Sequence, residues 1–128
     1  MTENFGPTTP DRTSTVSAEE MVPPDGAFVV LYEGGEAVAG GGLRRLADDV
    51  AEIKRMFVTP PARGRGLGRR VLEELETVAA ELGYRRLRLD TAQSLTTAIA
   101  LYRSAGYRDI PDYNGNRYAS YWGEKVLP

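Results

Sequence analysis

The stretch Arg63-Gly64-Arg65-Gly66-Leu67-Gly68-Arg69-Arg70 joins two residue types suited to holding a phosphate. Arginine presents a planar fork of N–H donors that matches phosphate oxygens. Glycine lets the backbone approach a ligand closely and adopt conformations other residues resist. The stretch stands immediately before an amphipathic run, so it forms a helix start, where amides lack intrahelical partners and the dipole is positive. Each arginine there is unfavourable by about 0.3–1 kcal/mol at the surface. Four of them make structural sense when an anion occupies the site, and phosphate or pyrophosphate fits best. A nucleotide-binding P-loop requires Gly-Lys-Ser/Thr, whereas Gly68 is followed by Arg69-Arg70. The dinucleotide spacing G-x-G-x-x-G fails in both registers, ending at Arg69 from Gly64 and at Val71 from Gly66. The competing reading is a basic, solvated turn.

No cysteine and no histidine occur among the 128 residues. Disulfides, thiolate nucleophiles and soft metal sites are thereby excluded. The usual near-neutral proton shuttle and commonest metal ligand are missing as well. Acid–base chemistry falls to carboxylates, tyrosine, lysine or water, and no metal is expected. The net charge of −2 and a pI near 5.2 argue against a general nucleic-acid binder, because the basic cluster is short and the remainder acidic. Hydrophobic residues at 41% and charged residues at 27% are those of a soluble globular chain. No apolar run approaches the length of a membrane span, about 18 residues, and the first residues lack the apolar core of a signal peptide. The expectation is a cytoplasmic protein with no membrane association.

Positioning such a site requires one folded domain. Residues 1–25 are rich in Thr, Ser, Pro and charge and read as mostly disordered, with one short turn at residues 17–21. Residues 26–128 form the domain. An apolar run at 27–32 ends in Glu33-Gly34-Gly35-Glu36, a hairpin signal, and 37–43 returns as a second strand. Its Gly40-Gly41-Gly42 weakens a strand unless another backbone packs close there. Residues 50–58 make a third strand, stopped by Pro60-Pro61. Leu67, Val71, Leu72, Leu75, Val78, Ala79 and Leu82 recur at helical spacing as one apolar stripe, and Gly83 is placed for a left-handed cap. Residues 86–90 alternate as a strand. Thr96 or Ser94 is expected to cap a second helix carrying Ala98, Ile99, Leu101, Tyr102 and Ala105, ended by Gly106. Residues 107–110 and 118–127 close the chain as strands around the polar loop Asp112-Tyr113-Asn114-Gly115-Asn116. The order is that of an α/β fold with a mixed sheet.

The run Ala51-Glu52-Ile53-Lys54-Arg55-Met56-Phe57-Val58, then Pro60, then Arg63-Gly64-Arg65-Gly66-Leu67-Gly68 resembles the GNAT superfamily of acyl-CoA N-acyltransferases. That family's coenzyme-A signature, Arg/Gln-x-x-Gly-x-Gly/Ala, matches Arg63, Gly66 and Gly68. The later Ala98-Ile99-Ala100-Leu101-Tyr102-Arg103-Ser104-Ala105-Gly106-Tyr107 is similar to its second signature, in the usual order and spacing. The resemblance spans residues 25–127. It implies a mixed, mostly antiparallel twisted sheet with splayed central strands and flanking helices, the N-terminal strand and helices being reduced or missing. It implies acetyl-CoA as donor, its pyrophosphate held by Arg63 and by backbone groups of Gly64, Arg65, Gly66, Leu67, Gly68 and Arg69. Met56, Phe57 and Val58 would pair with the pantetheine arm and orient the thioester. Tyr102 matches a tyrosine that often stands near the sulfur as general acid, against the plainer reading of a core aromatic.

An amine attacks a thioester only when neutral, so a proton must be removed and the tetrahedral oxyanion stabilised. Without cysteine, direct transfer in a ternary complex is expected rather than an acyl-enzyme on sulfur. Glu52, on the strand where relatives place such a glutamate, is the first candidate base, acting through water. The alternative is a strand-face carboxylate paired with Lys54 or Arg55. Asp90 is a backup base, and Tyr113 and Asn114 lie in a loop that faces the acceptor in relatives, or form a plain polar turn. Many relatives carry an asparagine where this chain has Leu95. The expected acceptor is a primary amine of a small molecule or amino acid. A protein or peptide amine, or a non-catalytic acyl-CoA-binding module, stand as alternatives. An exposed sheet edge would allow a homodimer.

Overall fold

The computed structural model describes residues 21–92 and 94–128. The expectation of disorder with a turn at 17–21 lies, for residues 1–20, outside the described residues. Within residues 21–25 the chain packs: Met21 is buried, Asp25 pairs with Arg45 at 3.1 Å, and the Asp25 carbonyl accepts from the Tyr84 hydroxyl at 2.5 Å.

Strands β1 (Ala27–Glu33) and β2 (Glu36–Ala47) form the hairpin read from the sequence. Gly34 and Gly35 both take positive φ, 56° and 84°, which suits a two-residue turn matching the strand twist. β2 runs to Ala47 rather than stopping near residue 43, because β3 (Val50–Val58) turns back at once and pairs with it from Ala47↔Val50 onward. Helix α1 (Leu67–Glu81) follows a short 3₁₀ turn at Pro60–Ala62. It buries Val71, Leu72, Leu75 and Ala79 and ends in a Schellman cap. Gly83 at φ 94° donates to the Ala80 carbonyl at 3.1 Å, and Tyr84 to that of Ala79 at 3.0 Å.

β4 (Arg86–Thr91), α2 (Thr96–Ser104), β5 (Arg108–Asp109) and β6 (Tyr121–Val126) complete the fold. The sheet order is β1-β2-β3-β4-β6-β5, and only β3 and β4 are parallel. This is the expected mixed, mostly antiparallel α/β sheet with flanking helices. Two details differ. The N-cap of α2 is Leu95, with no side-chain cap bond, so neither Ser94 nor Thr96 plays that part. The last strands are shorter than read, because residues 111–120 leave the sheet and fold over it as a loop.

Both helices pack on one sheet face, over Ala39, Leu43, Ala51, Ile53, Leu87 and Leu89. Their mutual contact is seen in Arg69 of α1 bonding Ser104 of α2. The opposite face carries a row of alternating charge at paired positions: Arg44, Glu52, Arg88, Glu124 and Arg108, from β2, β3, β4, β6 and β5.

Candidate active site

β3 and β4 pair only from Val50↔Arg86 to Ile53↔Leu89. Beyond Ile53 the strands part, while β3 continues to Val58. A bulge lies where they separate: Gly40 faces Phe57 and Gly42 faces Lys54, so Arg55 and Met56 stand against Gly41 alone. Arg55 takes φ 59°, a left-handed conformation that costs a non-glycine residue on the order of 1–2 kcal/mol. The glycine run opposite is a steric requirement. A Cβ on Gly41 would lie 2.8 Å from Met56 Cγ, and one on Gly40 would lie 2.7 Å from both Phe57 Cε1 and the Val29 carbonyl. The close backbone approach anticipated here is present at Gly40, against the Val29 carbonyl, whereas Gly41 and Gly42 meet side chains.

Tyr102 of α2 reaches across the opening to β3, its hydroxyl 3.8 Å from Met56 Sδ. It is buried, stacks on Tyr121 with ring centroids 6.5 Å apart, and meets Tyr107 edge-on at 6.1 Å. Burial, the Tyr121 phenol and the Asp90 carboxylate hold its hydroxyl well above the usual tyrosine range, so it stays protonated. The expected acid is therefore a buried core aromatic whose hydroxyl lies at the strand opening. Val58 and Met56 are buried as well, and the Val58 carbonyl accepts from Arg63 Nε at 3.1 Å.

The glycine-rich turn sits at the outer end of the same strand. Gly64 and Gly66 take φ 82° and 77°, and Gly66 is the N-cap of α1, with no acidic residue in the first turn. The first helical bond runs from Arg70 N–H to the Gly66 carbonyl at 3.2 Å, so the amides of residues 67–69 precede the ladder. Gly68 is buried and Leu67 packs against the core. A Cβ on Gly66 meets nothing within 4 Å, which leaves open space before the helix. Two of the four arginines are compensated by carboxylates, which the sequence alone did not suggest. Arg65 forms a two-pronged bond with Glu33 at 2.8 and 2.9 Å, and Arg70 lies 3.8 Å from Glu74. Among the described residues Arg63 and Arg69 have no carboxylate partner.

A polar cavity of about 390 Å³ opens on the charged face, lined by Arg44, Glu52, Lys54, Asn114, Gly115, Asn116, Arg117 and Tyr118. Glu52 is fully buried. Its Oε1 accepts from Arg44 Nε at 3.0 Å, and Arg44 Nη2 lies 2.9 Å away. Its Oε2 accepts from the Tyr113 hydroxyl at 2.5 Å and from Asn114 Nδ2 at 3.0 Å. The main cationic partner is therefore Arg44, with Lys54 only at 3.8 Å, because Lys54 bonds both oxygens of Asp90 at 2.8 and 3.0 Å. That pair bridges the parting strands one residue past their last register contact. Asp90 also accepts from Asn114 and from Asn116 at 3.2 Å.

The loop owes its shape to asparagine and aspartate side chains that bond nearby amides. Asp112 Oδ1 accepts from the amides of Asn114 at 2.9 Å and Gly115 at 2.7 Å, and Asn116 Oδ1 accepts from that of Tyr118 at 3.0 Å. Trp122 Nε1 donates to Asn114 Oδ1 at 3.0 Å. Glu52, Asp90, Tyr113 and Asn114, named separately from the sequence, thus form one cluster, to which Arg44, Asn116 and Arg117 are additions. Asn116 was visible in the sequence only as part of the polar loop, and Arg44 lay beyond the strand read at 37–43, so its register opposite Glu52 emerges from the structure. Among the described residues no group of three or more His, Cys, Asp or Glu could hold a metal ion, and no helix is long and apolar enough to cross a membrane.

A strand opening capped by a glycine-rich helix start, beside a polar pocket, is a geometry of an α/β protein suited to an extended, phosphate-bearing ligand. A sequence model of the acetyltransferase (GNAT) family matches residues 2–107, and the chain belongs to that family. It is 39% identical over 92 residues to an IAA acetyltransferase of Azospirillum brasilense, covering 71% of this chain and 60% of that one. The chain thus spans 60% of the length of this curated relative. A Klebsiella pneumoniae protein, provisionally described as an acyl-CoA N-acyltransferase, superposes with a TM-score of 0.76 at 29% identity, covering 88% of this chain and 80% of that one. A family acetyltransferase of Elizabethkingia anophelis with acetyl-CoA bound shares the fold, with a TM-score of 0.69 at 19% identity and coverage of 80% and 77%.

Proposed function

We propose that this chain transfers an acetyl group from acetyl-CoA to a primary amine of a small molecule, by direct attack in a ternary complex. The observation that carries the reading is the parting of β3 from β4 beyond Ile53, with the Tyr102 hydroxyl on Met56 at the opening. The amides and positive dipole end of residues 64–69, with Arg63 and Arg69 to hand, suit a pyrophosphate. Backbone groups of residues 56–58, on the edge β4 has left, suit the pantetheine amides. The acceptor occupies the polar cavity, whose volume of about 390 Å³ lies at the small end of ligand sites.

Glu52 takes the proton from the incoming ammonium, through water, while Arg44, Tyr113 and Asn114 fix the carboxylate in place. Nitrogen then bonds to the thioester carbon, and the carbon–sulfur bond breaks as the tetrahedral species collapses. Tyr102 gives its proton to the departing thiolate, and the second proton of the attacking nitrogen passes to solvent. The Lys54–Asp90 pair bridges the parting strands, and Lys54 also lines the cavity.

Calorimetric titration with acetyl-CoA, repeated on Gly66→Glu, tests the reading. Gly66 faces open space, so a carboxylate there competes with the pyrophosphate, and because its φ of 77° strains any side chain, the variant's Tm is measured beside its binding. Micromolar binding by the native chain that is lost in the variant, followed by thiol release with an amine, supports it. Failure of the folded native chain to bind acetyl-CoA overturns it. Binding without thiol release from any amine would favour a non-catalytic module.

A further inference from the structure

The cavity lining holds more positive than negative charge. Arg44 is matched by Glu52 and Lys54 by Asp90, each pair in hydrogen-bond contact. Arg117 has no carboxylate partner among the described residues. Its guanidinium carbon lies 4.9 Å from the centroid of the Tyr118 ring, and its Nη2 donates to the Tyr118 hydroxyl at 2.9 Å. A guanidinium has five N–H donors, so most of its donor capacity is left over. The ring contact holds the group at the cavity rim, on a loop braced by Asp112 and Asn116.

Resting on the acetyltransferase reading above, we infer that Arg117 is a specificity-determining residue that binds a carboxylate on the acceptor, so that the substrate class is a free amino acid or an amine of that type. A planar carboxylate matches the guanidinium fork in two-pronged fashion, and its charge neutralises the unmatched cation. The acceptor's ammonium then lies toward Glu52, the carboxylate among the residues lining the cavity. A protein or peptide N-terminus offers an amine but no carboxylate nearby, and the cavity volume of about 390 Å³ suits a small molecule.

The test is a set of amino acids, each assayed beside its carboxamide and its decarboxylated amine, with acetyl-CoA and thiol release as readout. The expected result is at least a tenfold preference in kcat/KM for the carboxylate form. In Arg117→Gln that preference collapses through a raised amino acid KM, while the KM for acetyl-CoA is unchanged. Arg117→Lys restores part of the preference. Arg117 is exposed, so the variants should keep the native Tm, and that is measured alongside. Equal use of the carboxamides, a preference unaffected by Arg117→Gln, or no turnover of any amine while acetyl-CoA binds would each overturn the inference. Loss of acetyl-CoA binding by the native chain would instead remove the reading beneath it.

Discussion

The Tyr113 hydroxyl donates to Glu52 Oε2 at 2.5 Å, tying a loop near the end of the chain to the middle of the sheet 61 residues earlier. Arg88 stands beside this contact, its guanidinium carbon 5.3 Å from the centroid of the Tyr113 ring and its Nε 2.8 Å from Glu124. The phenol therefore fills the interval between Glu52 and Arg88 in the charged row. Burial, then the Glu52 charge and the bond to it, push its own ionisation well above the usual range, so it acts as donor throughout.

Tyr113→Phe keeps the ring over Arg88 and removes the bond. A hydrogen bond to a charged group contributes about 1.5–3 kcal/mol, and a loss of that order is expected in urea unfolding. The loop also carries Asn114 and Asn116, so the KM for the acceptor should rise while acetyl-CoA affinity holds. An unchanged acceptor KM would separate the loop from the acceptor.

The glycines of β2 give a prediction about packing. On Gly40 a Cβ would come within 2.7 Å of the Val29 carbonyl, which is backbone and cannot swing aside. Gly40→Ala should cost about 1–3 kcal/mol, the range for overpacking, read as a lower urea midpoint. Gly41→Ala meets Met56 Cγ at 2.8 Å, a side-chain rather than a backbone atom. It should cost less stability and more turnover, because Met56 carries the contact with Tyr102. Equal losses of stability in the two variants would contradict this.

How much of this was legible beforehand follows from the range of the interactions. The hairpin at Gly34-Gly35, the helical stripe from Leu67 to Ala79 and the cap at Gly83 are local signals, and each stands where the pattern put it, though Leu82 at the end of the stripe is exposed. Family membership was legible from two short motifs. The bulge at Arg55 was not, because it depends on a register shift against Gly41 in another strand. The partners of Glu52 were equally hidden: Arg44 lies across a strand pair, and Tyr113 and Asn114 arrive through a loop whose path no periodicity encodes. The compensation of Arg65 by Glu33 spans 32 residues and overturned a simple count of arginines.

Tyr102→Phe tests the acid without moving the packing. General acid catalysis is worth about 10²–10⁴-fold, so kcat should fall within that range while acetyl-CoA binding is retained. Since burial keeps the hydroxyl protonated above the usual tyrosine value of 10.0, the native enzyme should show no loss of activity on the alkaline side attributable to this residue up to that pH. A kcat within twofold of native in the variant would assign Tyr102 to the core alone.

Acid stability should depend on Glu124, the second carboxylate of the charged row. Burial raises its pKa, but the Arg88 bond at 2.8 Å, with Arg108 at 3.4 Å and Arg86 at 4.0 Å, outweighs that and leaves it below its ordinary value of 4.5. A depressed folded-state pKa contributes stability that is complete above the unfolded value and is lost as pH falls through the folded one. Unfolding free energy should therefore hold steady near neutrality and decline once pH drops below about 4.5, where the unfolded chain takes up the proton first. In Glu124→Gln the decline should be shallower, because the group that links protons to folding is gone. Stability at pH 7 should be lower in that variant, since Arg88, only half-buried beneath the Tyr113 ring, loses its partner. Urea midpoints for both proteins between pH 3 and 7 decide the matter: parallel curves would show that Glu124 does not contribute to the acid transition.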